Sequence, residues 1–213
     1  MQDLTLTIKE YPFKGLDEND LNPDPIVQFR YWLDIAIKSN TMPEANAMIL
    51  STVSSDNRPS SRVVLLKHIS DQGFDFFTNY NSKKGKHLLN NKYASLLFYW
   101  PLLERQVRIE GRVEKISSNE SDDYFISRPY ESQIGAWASP QSNVIPTKST
   151  LLDWYKEFES IFTNKDISRP PHWGGFRLIP DLMEFWQSKP NRLHDRIEYV
   201  LNSGEWNIRR LAP

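Results

Sequence analysis

The chain has 213 residues, enough for one domain with a sizeable core. Its 39% hydrophobic, 25% charged and 13% aromatic content, with seven tryptophans, is an ordinary globular balance and excludes disorder as the default state. A net charge of -1 excludes the broad positive field of a general nucleic-acid binder, and the absence of cysteine excludes disulfides, thiolate metal sites and thiol catalysis. Phosphate binding must therefore be local, and redox chemistry needs a cofactor. With no signal-peptide pattern at the start and no run near the ~20 apolar residues of a membrane span, a cytosolic location is the expectation.

Residues 1 to about 22 are polar and rich in turn formers, and read as an arm that orders only when docked; residues 23–213 read as a single domain. Asp24 and Pro25 read as the cap and first residue of an amphipathic helix, in which Ile26, Phe29, Leu33 and Ile37 recur at helical spacing through about Ser39. From Ala47 the pattern turns to consecutive β-rich runs: AMILSTVS, SSRVVLLKHI after the turn SDNRP, and GFDFFTNY. A short helix from about Ser82 to Asn90 leads into YASLLFYW and RQVRIEGRVEKI, joined across PLLE. Ser118 is the expected cap of a helix running to about Ser127, and Thr147 that of a second helix through LLDWYKEFESIF. RPPHWGG reads as a loop, and FRLIP, LMEFWQS, RIEYVL and WNIRRL as closing strands. Strands in adjacent runs, with no GxGxxG or GxxxxGK[ST] element, argue against a doubly wound nucleotide-binding fold. They favour a mainly β antiparallel barrel with peripheral helices, an α+β arrangement.

Several residues point to anion chemistry. Arg62 and Lys67 place two cations in an apolar strand, where unpaired charge is costly. Five residues apart on a regular strand they face opposite ways, which suggests two separate anionic groups; salt-bridged or solvated strand-end cations are the plain alternative. Lys83 and Lys84 follow Ser82 at a helix start, where lysine opposes the macrodipole unless an anion compensates, although a solvated pair is commoner. Tyr124 and Arg128 can share a helical face, with Ser132 beyond Pro129 in an expected loop; hydroxyl, guanidinium and hydroxyl suit a phosphate ester. The run Met183 to Arg196 is the densest constellation, and Arg192, His194 and Arg196 would line one face beside Trp186 if extended.

EFWQSKPNRLHDR, together with RVVLLK, ERQVRIEG, SRPYESQIGAWAS, QS, WGGFR and the terminal RRLAP, resembles the signature blocks of the pyridoxamine (pyridoxine) 5′-phosphate oxidase family, from about residue 24 to the end. The resemblance implies an FMN-binding split β-barrel homodimer, with FMN at the interface and residues of both chains in each site. It implies FMN contacts from Arg62, Val63, Val64, Leu65, Leu66, Lys67, Phe77, Thr78, Lys83, Lys84, Gln106, Gln141, Ser142, Trp186 and Arg196. Substrate phosphate would meet Lys67, Tyr124, Arg128 and Ser132, while Arg192, Leu193 and His194 would face the substrate ring, Arg192 and His194 as the catalytic pair. No metal is implied. Pyridoxamine 5′-phosphate and pyridoxine 5′-phosphate would be oxidised at the 4′ carbon to pyridoxal 5′-phosphate, in vitamin B6 biosynthesis and salvage. Hydride would pass to flavin N5, O2 would become H2O2, and the amine substrate would release ammonia. The chain departs from the family pattern at Lys83, where arginine is expected and lysine lacks the planar fork. In the arm Tyr11 matches the expected tyrosine, whereas Ile8, beside Lys9, occupies the expected basic position. Two rivals are a nicotinamide-dependent flavin reductase on the same barrel and a non-catalytic flavin or pyridoxal phosphate binder; substrate spectra and turnover separate them.

Overall fold

The computed structural model describes residues 15–40 and 42–213, so the comparison at Tyr11, Ile8 and Lys9 lies outside the described residues. The described chain is mainly β with peripheral helices, as expected. Its strands are β1 (Ala47–Val53), β2 (Pro59–Leu65), β3 (His68–Ser70), β4 (Gly73–Asn79), β5 (Tyr93–Trp100), β6 (Arg105–Lys115), β7 (Trp173–Gln187), β8 (Asp195–Asn202) and β9 (Glu205–Arg210). Its helices are α1 (Pro25–Lys38), α2 (Lys83–Asn90), α3 (Ser118–Ile126), α4 (Tyr130–Ala138) and α5 (Lys148–Phe162). Strand order is β2-β1-β5-β6-β7-β4-β3, with β8 on β7 and β9 on β8. Among the described residues no helix is long and apolar enough to cross a membrane. The chain divides into two compact units, one of residues up to Ile49 with Ser95–Glu110 and Pro180–Pro213, the other of Leu50–Ala94 with Gly111–Ile179.

The first unit is organised by α1. Asp24 caps it, its Oδ1 accepting from the Ile26 N–H at 2.7 Å, and Pro25 starts it without wasting a donor. Ile26, Phe29, Trp32, Leu33 and Ala36 form the buried face. Ile37 does not join it: Ala36 takes the inward position and Ile37 is 58% exposed. Phe29 meets Phe98 edge-on at 4.8 Å and Trp32 meets Phe185 at 5.2 Å, the quadrupole-favoured geometry. Removing the cap with Asp24→Ala is expected to lower stability by about 1 kcal/mol, as read by urea unfolding.

The second unit carries β2 to β4 and α2 to α5. Asp75 and Arg177 are cross-strand partners on β4 and β7, joined by two hydrogen bonds of 2.7 and 2.8 Å. Phe125, Ile134, Ile167 and Trp173 form a buried cluster with Phe77, Tyr124, Trp137 and Phe158 packed on it. A Cβ at Gly174 would collide with the Tyr80 hydroxyl, so only glycine allows that approach.

Several expectations change. The cap of α3 is Ser117, one residue earlier than expected: its hydroxyl accepts from the Glu120 N–H while Glu120 returns to the Ser117 N–H, a complete capping box. FRLIP and LMEFWQ form one continuous strand, β7, that runs through Pro180. The expected loop after Pro129 is helix α4, which places Ser132 in a first helical turn. Arg128 lies just past the end of α3 rather than on its face.

Candidate active site

Strand β2 ends at Leu65, so Lys67 sits in the short link to β3, held by its N–H donating to the Asp75 carbonyl at 2.9 Å. The alternation that would set Arg62 and Lys67 on opposite faces therefore does not reach Lys67. The two still differ in surroundings. Lys67 lines a cavity of about 450 Å³ with Val63, Val64, Leu65, Phe77, Thr78, Lys84, Tyr124, Arg128, Pro129, Ser132, Gln141 and Trp173. Arg62 turns towards β1 instead, its Nη1 donating to the Leu50 carbonyl and Thr52 Oγ1 and its Nη2 to Ser60 Oγ.

The cavity is built in layers. Phe77 and Tyr124 stack at 3.9 Å, and Trp173 continues the stack at 5.6 Å from Phe77. The Arg128 guanidinium lies over Trp173, 4.5 Å from the ring centre, a cation–π contact that holds it without neutralising it. Its Nη1 is buried with no hydrogen-bond partner. Lys84 reaches from the first turn of α2 to Gln141 Oε1 at 2.8 Å and Thr78 Oγ1 at 3.1 Å. Ser82 caps that helix, and Gly85 lets it start against the Asn79 and Tyr80 carbonyls, which a Cβ would strike. Burial pushes the pKa of Arg128 and of Lys84 below their ordinary values, and for Lys84 the nearby charge of Arg62 adds to this.

Three cations and no carboxylate line this cavity. Among the described residues none of Lys67, Lys84, Arg128 or Arg62 has an ion-pair partner. Unpaired cations at a part-buried site are costly, and an anionic ligand would compensate them. The fit to a phosphate is chemical as well, because hydroxyls of Thr78, Tyr124 and Ser132 share the wall.

The cavity thus gathers eleven residues expected in the site: Val63, Val64, Leu65, Lys67, Phe77, Thr78, Lys84, Tyr124, Arg128, Ser132 and Gln141. Leu66 is buried, and Lys83 and Ser142 are exposed; none of them lines it. Trp173 was missed as a site residue. Its signal was the tryptophan of WGGFR, which sat in a stretch read as a loop but opens β7.

The remaining candidates belong to the first unit. Trp186 and Arg196 are cross-strand partners on β7 and β8, and Arg196 is held by Glu184, Nε to Oε1 at 2.7 Å. That carboxylate keeps the Arg196 pKa above its ordinary value. Glu184 is 2% exposed and also takes Arg108 at 2.9 Å. The Trp186 and His194 rings lie 4.7 Å apart, and His194 Nδ1 accepts from the Lys189 N–H at 3.1 Å, so the neutral ring carries its proton on Nε2. Arg192 is not on an extended strand: it closes a 3-10 turn in which Asn191 and Arg192 both have positive φ, 58° and 61°. Two successive non-glycine residues there hold strain of order 1–3 kcal/mol each. Arg192 and Leu193 are exposed, Gln106 half-buried.

Comparison with known proteins identifies the family. Residues 36–161 match the family model described as pyridoxamine 5′-phosphate oxidase, and residues 173–213 match that of the pyridoxine 5′-phosphate oxidase C-terminal dimerisation region. Pyridoxine/pyridoxamine 5′-phosphate oxidase of Cupriavidus necator is 52% identical over 206 residues, covering 96% of each chain. The protein of the same name from Burkholderia multivorans is 53% identical, with 95% of each chain covered. Among solved structures, PhzG from Burkholderia lata 383, in complex with tetrahydrophenazine-1-carboxylic acid, superposes with a TM-score of 0.87 at 32% identity, covering 92% of this chain and 95% of its own. A pyridoxamine 5′-phosphate oxidase-related, FMN-binding protein from Nostoc punctiforme shares the fold, with a TM-score of 0.71 at 18% identity, covering 87% of this chain and 97% of its own. The fold is that of the split β-barrels, and the chain belongs to the pyridoxamine 5′-phosphate oxidase family.

Proposed function

We propose that this protein oxidises pyridoxamine 5′-phosphate and pyridoxine 5′-phosphate to pyridoxal 5′-phosphate, with FMN as cofactor and O2 as final acceptor, as a cytoplasmic homodimer in vitamin B6 biosynthesis and salvage. The observation that carries this reading is the cavity with Lys67, Lys84 and Arg128 and no carboxylate in its wall. In this reading residues 23–213 act as one oxidase domain.

The residues divide into two phosphate sets. Lys67, Tyr124, Arg128 and Ser132 hold the substrate phosphate: two cations supply charge and two hydroxyls fix the remaining oxygens. Lys84, Lys83 and Arg62 hold the FMN phosphate near the start of α2, where free N–H groups add a favourable field. Gln141 and Ser142 belong to the same anchor, and the Arg62 to Lys67 segment with Phe77, Thr78, Gln106, Trp186 and Arg196 holds the rest of the cofactor. FMN, when bound, would supply a two-electron acceptor for oxidation at the 4′ carbon that O2 can reoxidise, giving H2O2. With the amine substrate, water then hydrolyses the imine product and ammonia leaves.

Arg192 orients the substrate ring and assists it electrostatically, its backbone already fixed by the left-handed turn. His194, with Nδ1 engaged by the Lys189 N–H, offers Nε2–H to a substrate oxygen and positions it rather than serving as an obligatory base. Arg192→Leu and His194→Ala are each expected to slow single-turnover oxidation at saturating substrate by roughly tenfold. Unchanged rates would remove both residues from these roles.

The PhzG likeness raises a second substrate class, phenazine carboxylates, which carry no phosphate ester. The paired hydroxyls and cations at Tyr124, Ser132, Lys67 and Arg128 favour the phosphorylated vitamer. Turnover of both substrate classes by the purified protein distinguishes the two readings.

A further inference from the structure

We propose that His87 is a positioning residue for the FMN phosphate, acting through Thr52 on Arg62. The proposal rests on the cofactor reading above. His87 faces inward from α2 and is 8% exposed, and its Nδ1 lies 3.1 Å from Thr52 Oγ1, itself on a side chain 1% exposed. The same oxygen accepts from Arg62 Nη1 at 2.8 Å. The guanidinium is otherwise held by the Leu50 carbonyl at 2.8 Å and Ser60 Oγ at 2.9 Å, all neutral acceptors, which leaves its charge available to an anion.

The threonine hydroxyl has one proton to give. Its nearer acceptor is His87 Nδ1 at 3.1 Å rather than the Ser60 carbonyl at 3.4 Å. A neutral His87 that accepts this hydrogen bond at Nδ1 turns the oxygen lone pairs towards Arg62 and fixes the fork. A leucine in its place leaves the hydroxyl without this acceptor, whereas a glutamine supplies an amide oxygen to replace it.

The charges around His87 give the arrangement a pH signature. Arg62 faces it from β2, Lys83 from its own helix and Asp56 from the β1–β2 turn. Burial, then Arg62 and Lys83, push its pKa down; Asp56 and the Thr52 backbone oppose them. Protonation would put a hydrogen on Nδ1 and end its role as the acceptor from Thr52, so the arrangement that fixes Arg62 belongs to the neutral ring. By linkage, FMN binding then favours the neutral ring, and the contribution of His87 to affinity is lost as pH falls through its pKa.

The test is titration of the FMN-free protein with FMN, followed by quenching of flavin fluorescence from about pH 8 to about pH 5.5. At the upper pH, His87→Leu is expected to raise Kd about fivefold and His87→Gln by no more than about twofold. On a Thr52→Val background His87→Leu should cost nothing further. As pH falls, the unaltered protein should lose affinity relative to His87→Gln, whose amide oxygen accepts at every pH; the titration of the FMN phosphate itself is common to both and cancels. Equal affinities of the leucine variant and the unaltered protein, equal losses for leucine and glutamine, additive losses with Thr52→Val, or parallel pH curves would each overturn the proposal. Should the leucine variant fail to fold, the pH comparison with His87→Gln still decides it. An unaltered protein that fails to quench FMN overturns the cofactor reading and this inference with it; normal quenching indifferent to His87 overturns this inference alone.

Discussion

Arg128→Leu is expected to raise the KM for pyridoxamine 5′-phosphate about 100-fold while kcat stays within about threefold. The guanidinium lies over Trp173, shares its cavity with Lys67, Tyr124 and Ser132, and has a buried Nη1 with no partner in the protein. An ionised group left in that condition costs stability until an anion arrives, so its interaction energy is realised on binding. The loss should therefore fall on phosphate recognition, which is remote from the reacting carbon and common to ground and transition states. The same substitution should leave the thermal stability of the ligand-free protein unchanged or raised, because it removes an unpaired, part-buried charge. Steady-state kinetics and thermal unfolding of one preparation check both halves. An unchanged KM with lowered stability would make Arg128 a structural residue.

Asp75→Ala is expected to destabilise the fold by about 3–5 kcal/mol, the cost of leaving one member of a buried pair uncompensated. Asp75 is 3% exposed and binds Arg177 through two hydrogen bonds across β4 and β7. That carboxylate, with Glu120 behind it, holds the Arg177 pKa well above its ordinary value. Phe77 and Thr78 follow Asp75 on the same strand, so the pair also secures one wall of the cavity. Urea unfolding should show the loss. An apolar pair such as Asp75→Leu with Arg177→Met should recover much of it, since the penalty comes from the stranded charge. A loss below about 1 kcal/mol for Asp75→Ala would place this bridge with ordinary surface pairs.

The two sides of this account were not equally legible in the sequence. Local signals were reliable: Asp24–Pro25, Ser82 and Thr147 start helices where their side chains bond to free N–H groups, and β-rich runs mark β1, β2, β4, β5 and β6. Proline misled once. Pro129 signals a loop in the sequence, yet it stands at the N-cap of α4, a place where the missing N–H does little harm. The two closing strands FRLIP and LMEFWQS are one strand, and Pro180 is accommodated within β7. The candidate site was legible as separate cations, but not as one cavity. Lys67 and Lys84 are local features, whereas Trp173 beneath Arg128 comes from a strand opening some 45 residues later, and no periodicity encodes that meeting. Likewise Asp75 with Arg177, and Arg62 with Thr52 and His87, are products of strand pairing and helix docking rather than of neighbouring sequence. Strand alternation does not set Arg62 against Lys67, because β2 stops two residues before the lysine, although the two cations do occupy different surroundings.

The measurement that tests the central claim most directly is an anaerobic mixture of the FMN-loaded protein with pyridoxamine 5′-phosphate, followed by flavin absorbance before oxygen is admitted. The account predicts bleaching under substrate alone, then recovery of the oxidised spectrum with formation of H2O2 and pyridoxal 5′-phosphate when oxygen enters. A flavin that stays oxidised with both phosphorylated vitamers but bleaches with NADH or NADPH would contradict it.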